Sequence, residues 1–322
     1  MKSVAATVGL ALVFFAVANV DRSVAATIQV DVTVVDAEAS PVEGAEVAIE
    51  FMQSRGADSV TAMTDANGKV SEKGTGDYGT RVTVNKKGYY QSRIKNGYGD
   101  QSLTMVLREK RAPIDMSVMK FSGPVPAGVD RAGFDFSAGD WVSPHGRGAT
   151  PHIYFEVTGG AEDTFNYLAE VKVSFPGKYD GIYSVVDDSA PESSFRLPYE
   201  AAGHDFQSSV EGENMSTGDP STGVSEWSNT FKDPTTHAYV MRLNTVLDDA
   251  GEIESANYGK VRGDFVVWPY WPQGARRDTP TDRVALYFTY YYNEVPNDHN
   301  LEFDPRPERL RKLPAKQRVR QP

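Results

Sequence analysis

Ile28-Gln29-Val30-Asp31-Val32-Thr33-Val34 alternates apolar and polar residues without a break. Side chains on a strand point to opposite faces in turn, so Ile28, Val30, Val32 and Val34 share one face and the polar residues share the other. The pattern returns in Val47, Ile49 and Phe51, in Val82 and Val84, and in Leu103, Met105 and Leu107. Turn residues separate these sets, and several short strands at such spacing read as a β-sandwich. Further along, the alternation reappears at Ile153, Phe155 and Val157, at Val171, Val173 and Phe175, and most clearly at Val284, Leu286, Phe288, Tyr290 and Tyr292. Residues 164–171 come nearest to a helical stripe and are too few to make a long helix. The stretch 187–234, rich in Ser, Gly, Glu, Asp and Pro, reads as extended loops with a few short strands. The expected fold class is all-β: a small N-terminal sandwich followed by a larger antiparallel β domain, itself a second sandwich.

Length and composition agree with two domains. A chain of 322 residues with 40% hydrophobic and 24% charged residues can bury two cores without staples. The 16 Tyr, 15 Phe, 28 Gly and 19 Pro favour short strands and turns over long helices. Met1-Lys2-Ser3, an apolar run from Val4 to Val20 and the small-residue end Val24-Ala25-Ala26 have the order of a secretory signal peptide. The other reading of that run is an uncleaved membrane anchor, since about 17 apolar residues approach a bilayer's thickness. Thr7, Gly9 and Asn19 interrupt the run, and strand-like sequence begins at Ile28, which favours cleavage after Ala26. The expected location is the periplasm or the outside of the cell. With no Cys, the chain has no disulfide, thiolate-bound metal or acyl-anchoring cysteine.

The formal net charge is -11, yet the end of the chain gathers Arg306, Arg309, Arg311, Lys312, Lys316, Arg318 and Arg320 against Glu308 alone. An acidic body argues against nucleic acid as a partner. The basic tail reads as a solvated terminus, or else as a tether to an anionic polymer or membrane surface. The expected division is a leader over 1–26, a sandwich over 27–108, a short linker over 109–113, a second β domain over 114–305 and the tail over 306–322. The charged run Arg108-Glu109-Lys110-Arg111 ended by Pro113 marks the junction as a close one.

Asp65-Ala66-Asn67-Gly68-Lys69 puts Asn-Gly where a tight hairpin needs positive φ. Its Asp-x-Asn-Gly order is half of a calcium loop, but the later acidic ligand is missing. Together with Pro41-Val42-Glu43-Gly44-Ala45-Glu46-Val47 and Lys87-Gly88-Tyr89-Tyr90, this turn resembles the carboxypeptidase regulatory-like domains, which are transthyretin-like sandwiches. Ser40 stands where that pattern usually has Gly. The resemblance covers residues 28–108 and implies a fold and an accessory role, with no catalytic residue to carry over. Phe134-Asp135-Phe136, Gly139-Asp140-Trp141-Val142, Pro144-His145-Gly146, Phe288-Thr289-Tyr290-Tyr291 and the run from Pro296 to Pro305 resemble uncharacterised exported bacterial proteins, which implies export and no activity.

No Gly-x-Ser-x-Gly elbow is present, and His145, His152, His204, His237 and His299 are scattered rather than paired at helical spacing. Asp187-Asp188 and Asp248-Asp249 are adjacent acids, which on a strand would face opposite ways; they read as turn residues. An oxygen-rich cluster, Asn297, Asp298, Asn300, Glu302 and Asp304, could hold Ca²⁺ or could form a capped turn. Trp268-Pro269-Tyr270-Trp271-Pro272 is the most aromatic short segment. Its prolines lack the N–H of a sheet ladder, so it reads as an edge or a loop, with Trp268, Tyr270 and Trp271 either offered to a sugar or folded back as a lid. The function expected is therefore a non-catalytic exported binding or cell-surface protein with polysaccharide as ligand. The alternatives are a secreted hydrolase with a site split across the second domain, and a structural envelope component. N-terminal sequencing of the exported protein should begin at Thr27; a mature chain still carrying Met1 in the membrane fraction would overturn the leader reading.

Overall fold

The computed structural model describes residues 26–186, 189–203, 206–230, 238–304, 307–319 and 322. The leader up to Ala25, the pair Asp187-Asp188, His204, His237, Arg306 and Arg320 lie outside the described residues. Seven strands make the first domain: β1 (Ala26–Val35), β2 (Glu46–Gln53), β3 (Gly56–Met63), β4 (Lys69–Gly76), β5 (Gly79–Asn85), β6 (Ser92–Asn96) and β7 (Gln101–Val106). They form two sheets, β4-β1-β7 and β3-β2-β5-β6, packed face to face. All pairings are antiparallel except β1 with β7, where Val30 faces Gln101. Ile28, Val30, Val32 and Val34 of one sheet meet Val47, Ile49, Phe51, Val82 and Val84 of the other in a single buried cluster. The sheets approach closely at Gly74, where a Cβ would lie 2.2 Å from the Phe51 ring.

The Asn67-Gly68 turn forms, but it is a corner rather than the expected hairpin: it carries the chain from β3 in one sheet to β4 in the other. Gly68 takes φ 72°, and a Cβ there would run into the Val34 carbonyl oxygen at 2.4 Å. The Asp65 carboxylate accepts from the N–H of Asn67 and of Lys69 at 2.9 and 2.8 Å, so the acid is consumed in bracing the turn.

The second domain contains β8 (Ser117–Pro124), β9 (Ala132–Asp135), β10 (Asp140–Trp141), β11 (Ile153–Ala161), β12 (Tyr167–Ser174), β13 (Gly181–Val185), β14 (Ser209–Asp219), β15 (Val224–Asn229), β16 (Ala238–Leu247), β17 (Ile253–Pro269) and β18 (Val284–Asn293). Its sheets run β10-β9-β11-β12-β14-β15 and β13-β16-β17-β18-β8, antiparallel throughout. Residues 167–171 of the stretch 164–171 belong to β12 instead of a helical stripe, since Ala169, Val171 and Val173 all face the opposing sheet. Part of 187–234, expected as extended loops with a few short strands, is the hairpin of β14 and β15. Asp248-Asp249-Ala250-Gly251 is the hairpin turn between β16 and β17, with Gly251 at φ 84°.

Aromatic rings fill the space between these sheets. Phe134 lies wholly buried at 4.9 Å from Phe121, 5.3 Å from Phe288 and 5.4 Å from Trp141, in edge-on contacts that favour aromatic pairs. Along β18, Leu286, Phe288, Tyr290 and Tyr292 face this core, which leaves Tyr287, Thr289 and Tyr291 on the outer face of the sheet.

The far half of that outer face is covered by the joint between the domains. Glu302, 1% exposed, accepts from the Tyr90 hydroxyl at 2.8 Å and from the N–H groups of Arg111 and Ala112 at 3.1 and 2.7 Å. Tyr90 stacks on Phe195 at 4.7 Å, and the Arg108 guanidinium lies over Phe195 and Tyr199. Residues 307–319, expected as a solvated tail, instead add a short helix α1 (Pro307–Leu310) and bury Leu310 and Val319 against Met116, Val118, Tyr291 and Phe303. The physical reason is the apolar residues spaced among the cations, while Arg311 and Lys312 remain in solvent.

Lys260 is wholly buried in this joint, 2.5 Å from the Leu301 carbonyl and 4.5 Å above the Tyr291 ring. Burial, followed by the like charge of Arg262, lowers its pKa to about 7, with Glu302 acting the other way and Arg108 adding to the lowering. An unfolded chain returns this ammonium to about 10.4, so between those values the unfolded state holds more protons and stability rises with pH. Below pH 7 the cost of the buried charge is present in full. Chemical denaturation between pH 7 and 9 should therefore show stability climbing with pH in the parent and a visibly flatter profile in Lys260→Met; equal slopes would show that Lys260 is not the titrating group.

Candidate functional site

β17 is a 17-residue strand that changes neighbours along its length. Its pairing with β16 ends where Arg262 meets Ala238, and a register shift follows before Val266 meets Tyr287 of β18. Among the described residues, the stretch from Val266 to Pro269 is paired with β18 on one side only. Trp268 and Pro269 belong to this strand end, opposite Ala285 and Val284, and not to a loop. Of the two expected placements, edge or loop, the strand end is the one observed, and Pro269 is its last residue. Beyond it, residues 270–283 fold back over the end of β11, with Ala161 and Thr281 exchanging backbone hydrogen bonds at 2.8 Å.

Trp268, Tyr270 and Trp271 are brought together in one cleft of about 650 Å³, along with Tyr167 and Tyr287. Trp268 is 44% exposed and lies 5.6 Å from the Tyr167 ring; Tyr287 is 37% exposed. Tyr270 and Trp271 are half-buried, and each has a holding contact. The Arg283 guanidinium covers Tyr270 at 4.9 Å, and the Trp271 indole N–H donates to the Thr279 carbonyl at 2.8 Å. Arg277 and Thr164 supply polar groups at the rim. The rings are neither free in solvent nor folded away as a lid: Trp268 is offered outward while Trp271 pins the segment behind it.

The acidic cluster beyond β18 is spent inside the chain. Asn297 accepts from the Ala256 N–H and donates to the Glu254 carbonyl, at 3.0 and 2.9 Å. Asp298 accepts from the Asn300 N–H at 3.1 Å, Asn300 accepts from the Glu302 N–H at 2.8 Å and donates to Ala112, and Glu302 points into the domain joint. The backbone N–H of Asp304 donates to the Ile114 carbonyl. Among the described residues, no three His, Asp or Glu side chains gather as a metal would need, so Asn297, Asp298, Asn300, Glu302 and Asp304 are placed as turn braces and a joint residue.

His152 is buried beside Asp135, with Nδ1 3.5 Å from the carboxylate. The pair does not have the hydrogen bond of a catalytic dyad. Nδ1 accepts the Phe136 N–H at 3.2 Å, which requires the neutral ring, and burial lowers the pKa of His152 against the pull of Asp135. Burial pushes Asp135 upward, but the N–H groups of Ala149, Ala138 and Thr150 outweigh it and hold the carboxyl below its ordinary range. Its role is to fasten the loop around Ser137 and Thr150. His145 is exposed at a separate recess, and His299 contacts the Ala201 carbonyl at 2.9 Å.

No protein family model matches the chain, and no curated protein matches it. Three solved structures illustrate the level of structural likeness. A 3-chlorocatechol 1,2-dioxygenase from Rhodococcus opacus aligns at 11% identity over 28% of this chain and 62% of its own, with a TM-score of 0.25. The chain therefore spans about three fifths of that protein's length. A DUF3823 family protein from Parabacteroides merdae aligns at 8% identity over 67% of this chain and 90% of its own, with a TM-score of 0.21. The major pilin subunit of Bacillus cereus aligns at 10% identity over 86% of this chain and 100% of its own, also at 0.21. Likenesses this slight identify no relative.

Proposed function

We propose that the chain is an exported, non-catalytic carbohydrate-binding protein of the periplasm or cell surface, and that a polysaccharide docks in the cleft at Trp268. The observation that carries this reading is the gathering of five aromatic rings, Tyr167, Trp268, Tyr270, Trp271 and Tyr287, around one open cleft. Sugar rings present flat C–H faces, which pack on aromatic faces, and a cleft of this size with few polar groups suits a small rigid unit of a longer chain. The rings are braced by the sheet and by residues 270–283, so little side-chain freedom is lost on binding. Among the described residues, the buried pair His152 and Asp135 is committed to backbone groups, which supports binding over hydrolysis. The first domain fits the same reading as a carboxypeptidase regulatory-like accessory module, supported by its seven-strand sandwich and by the turn at Asp65.

Trp268→Ala should abolish retention on the insoluble polysaccharide that holds the parent, in a panel of cellulose, chitin, xylan and mannan. Its melting temperature should stay within about 3 °C, because truncating a half-exposed ring costs about 1 kcal/mol or less. Trp271→Ala should lose retention and also lower the melting temperature further, since it frees residues 270–283. Retention undiminished by Trp268→Ala would overturn the site.

A further inference from the structure

We propose that the polysaccharide is an anionic one, whose carboxylate or sulfate groups are taken by a cationic recess that continues the aromatic cleft. The inference rests on the reading of that cleft as a sugar site and adds the charge class of the ligand.

The recess follows from strand register. On the outer face of the sheet, Lys120 of β8 stands opposite Thr289 of β18, and Thr289 stands opposite Arg262 of β17. Adjacent strands lie about 4.8 Å apart, so one row across three strands puts two cations about 10 Å apart with a hydroxyl between them. Arg196, from the segment that carries Phe195 into the domain joint, completes a recess of about 390 Å³. Tyr287 lies two residues from Thr289 on the same face and lines both this recess and the aromatic cleft. The aromatic cleft at Trp268 and the recess at Lys120 and Arg262 thus adjoin at Tyr287.

Its charge runs against that of the body. The chain holds 44 acidic against 33 basic residues, and here three cations face one carboxylate, Asp264. That carboxylate is buried beside Tyr239, whose hydroxyl is pushed above its ordinary range by burial and then by Asp264. Among the described residues, no acidic side chain forms an ion pair with Lys120 or Arg262. Arg262 is steadied from below by the Tyr291 hydroxyl, and Lys120 is exposed. A ligand carrying only hydroxyls would leave Lys120 and Arg262 without an ion-pair partner, whereas a carboxylate or sulfate on a sugar seated against Tyr287 would reach them.

The test uses the full chain and matched pairs of soluble polymers: hydroxyethylcellulose with carboxymethylcellulose, dextran with dextran sulfate, and methyl-esterified with free polygalacturonate. Affinity electrophoresis should show tighter binding to the charged member of at least one pair, falling as salt rises from about 50 to 300 mM through screening. The pair that responds tells carboxylate from sulfate. Lys120→Gln and Arg262→Gln together should weaken binding of the charged polymer by about fivefold or more. Arg262→Lys with Lys120 retained should keep the preference, and an unchanged melting temperature for Lys120→Gln alone separates charge from folding. Arg311→Gln with Lys312→Gln should leave it untouched. Equal binding of charged and neutral members, weakened by Trp268→Ala, would overturn the charge inference and leave the sugar site standing. A preference that vanishes with the tail variant would assign the charge to residues 307–319 and overturn the recess. No binding to any polymer would overturn both readings.

Discussion

The buried Glu302 carboxylate is the interaction on which the arrangement of the molecule depends. A carboxylate out of water is costly unless its oxygens are satisfied. This one is satisfied by both domains at once, through a tyrosine hydroxyl of the first and two N–H groups of the connecting segment. Lys260 and Arg108 lie in the same enclosure and lend it opposite charge. Because the acceptor sits on the second domain and its donors on the first and on the junction, neither domain can swing away without leaving a charge orphaned. The segment from Arg108 to Ile114 is accordingly tied at each end, to Tyr90 and Gly88 on one side and to Glu302 on the other, and acts as a strut.

That fixed joint decides which part of the second domain meets solvent. Every strand of the sheet β13-β16-β17-β18-β8 has an outer face, and an outer face with Tyr291, Val240 and Tyr258 on it needs covering. The first domain, the segment around Phe195 and the C-terminal residues cover that part. Among the described residues, what remains uncovered is the row with Tyr287, Thr289 and Lys120, ending at Trp268 near the end of β17. The groove is therefore the remainder of a sheet surface after the joint is made, and its rigidity comes from the sheet beneath it.

The alternation of apolar residues made both sandwiches readable in the sequence, because a buried face imposes period two whatever the connections are. Connections were less readable. The turn at Asn67-Gly68 has the residues of a hairpin, yet positive φ serves a corner between sheets equally well. Trp268, Tyr270 and Trp271 could be picked out by composition. Tyr167 could not, since it is brought beside Trp268 by the packing of one sheet on the other. Tyr287 and Thr289 were present in the sequence as the outward positions of the best strand, and Lys120 and Arg262 join them only through register. The oxygen-rich run after β18 carried two readings, a calcium loop and a capped turn, for a plain reason. Asx side chains that brace turns and oxygens that ligate calcium look alike in a sequence, and only the partners distinguish them.

The parallel pairing of β1 with β7 bears on the order in which the chain can fold. Val30 must find Gln101, and the Tyr90 hydroxyl must find Glu302 across 212 positions, so the contacts that define the fold are remote along the chain. Closing such loops costs entropy before any contact repays it, which makes folding slow and leaves early strands exposed meanwhile. The first sheet lacks its inner edge until β7 has emerged, and the joint lacks its acceptor until nearly the whole chain has. A polypeptide with this contact order completes its fold only once its far end is available, so the last strands and the residues after them decide when the joint closes.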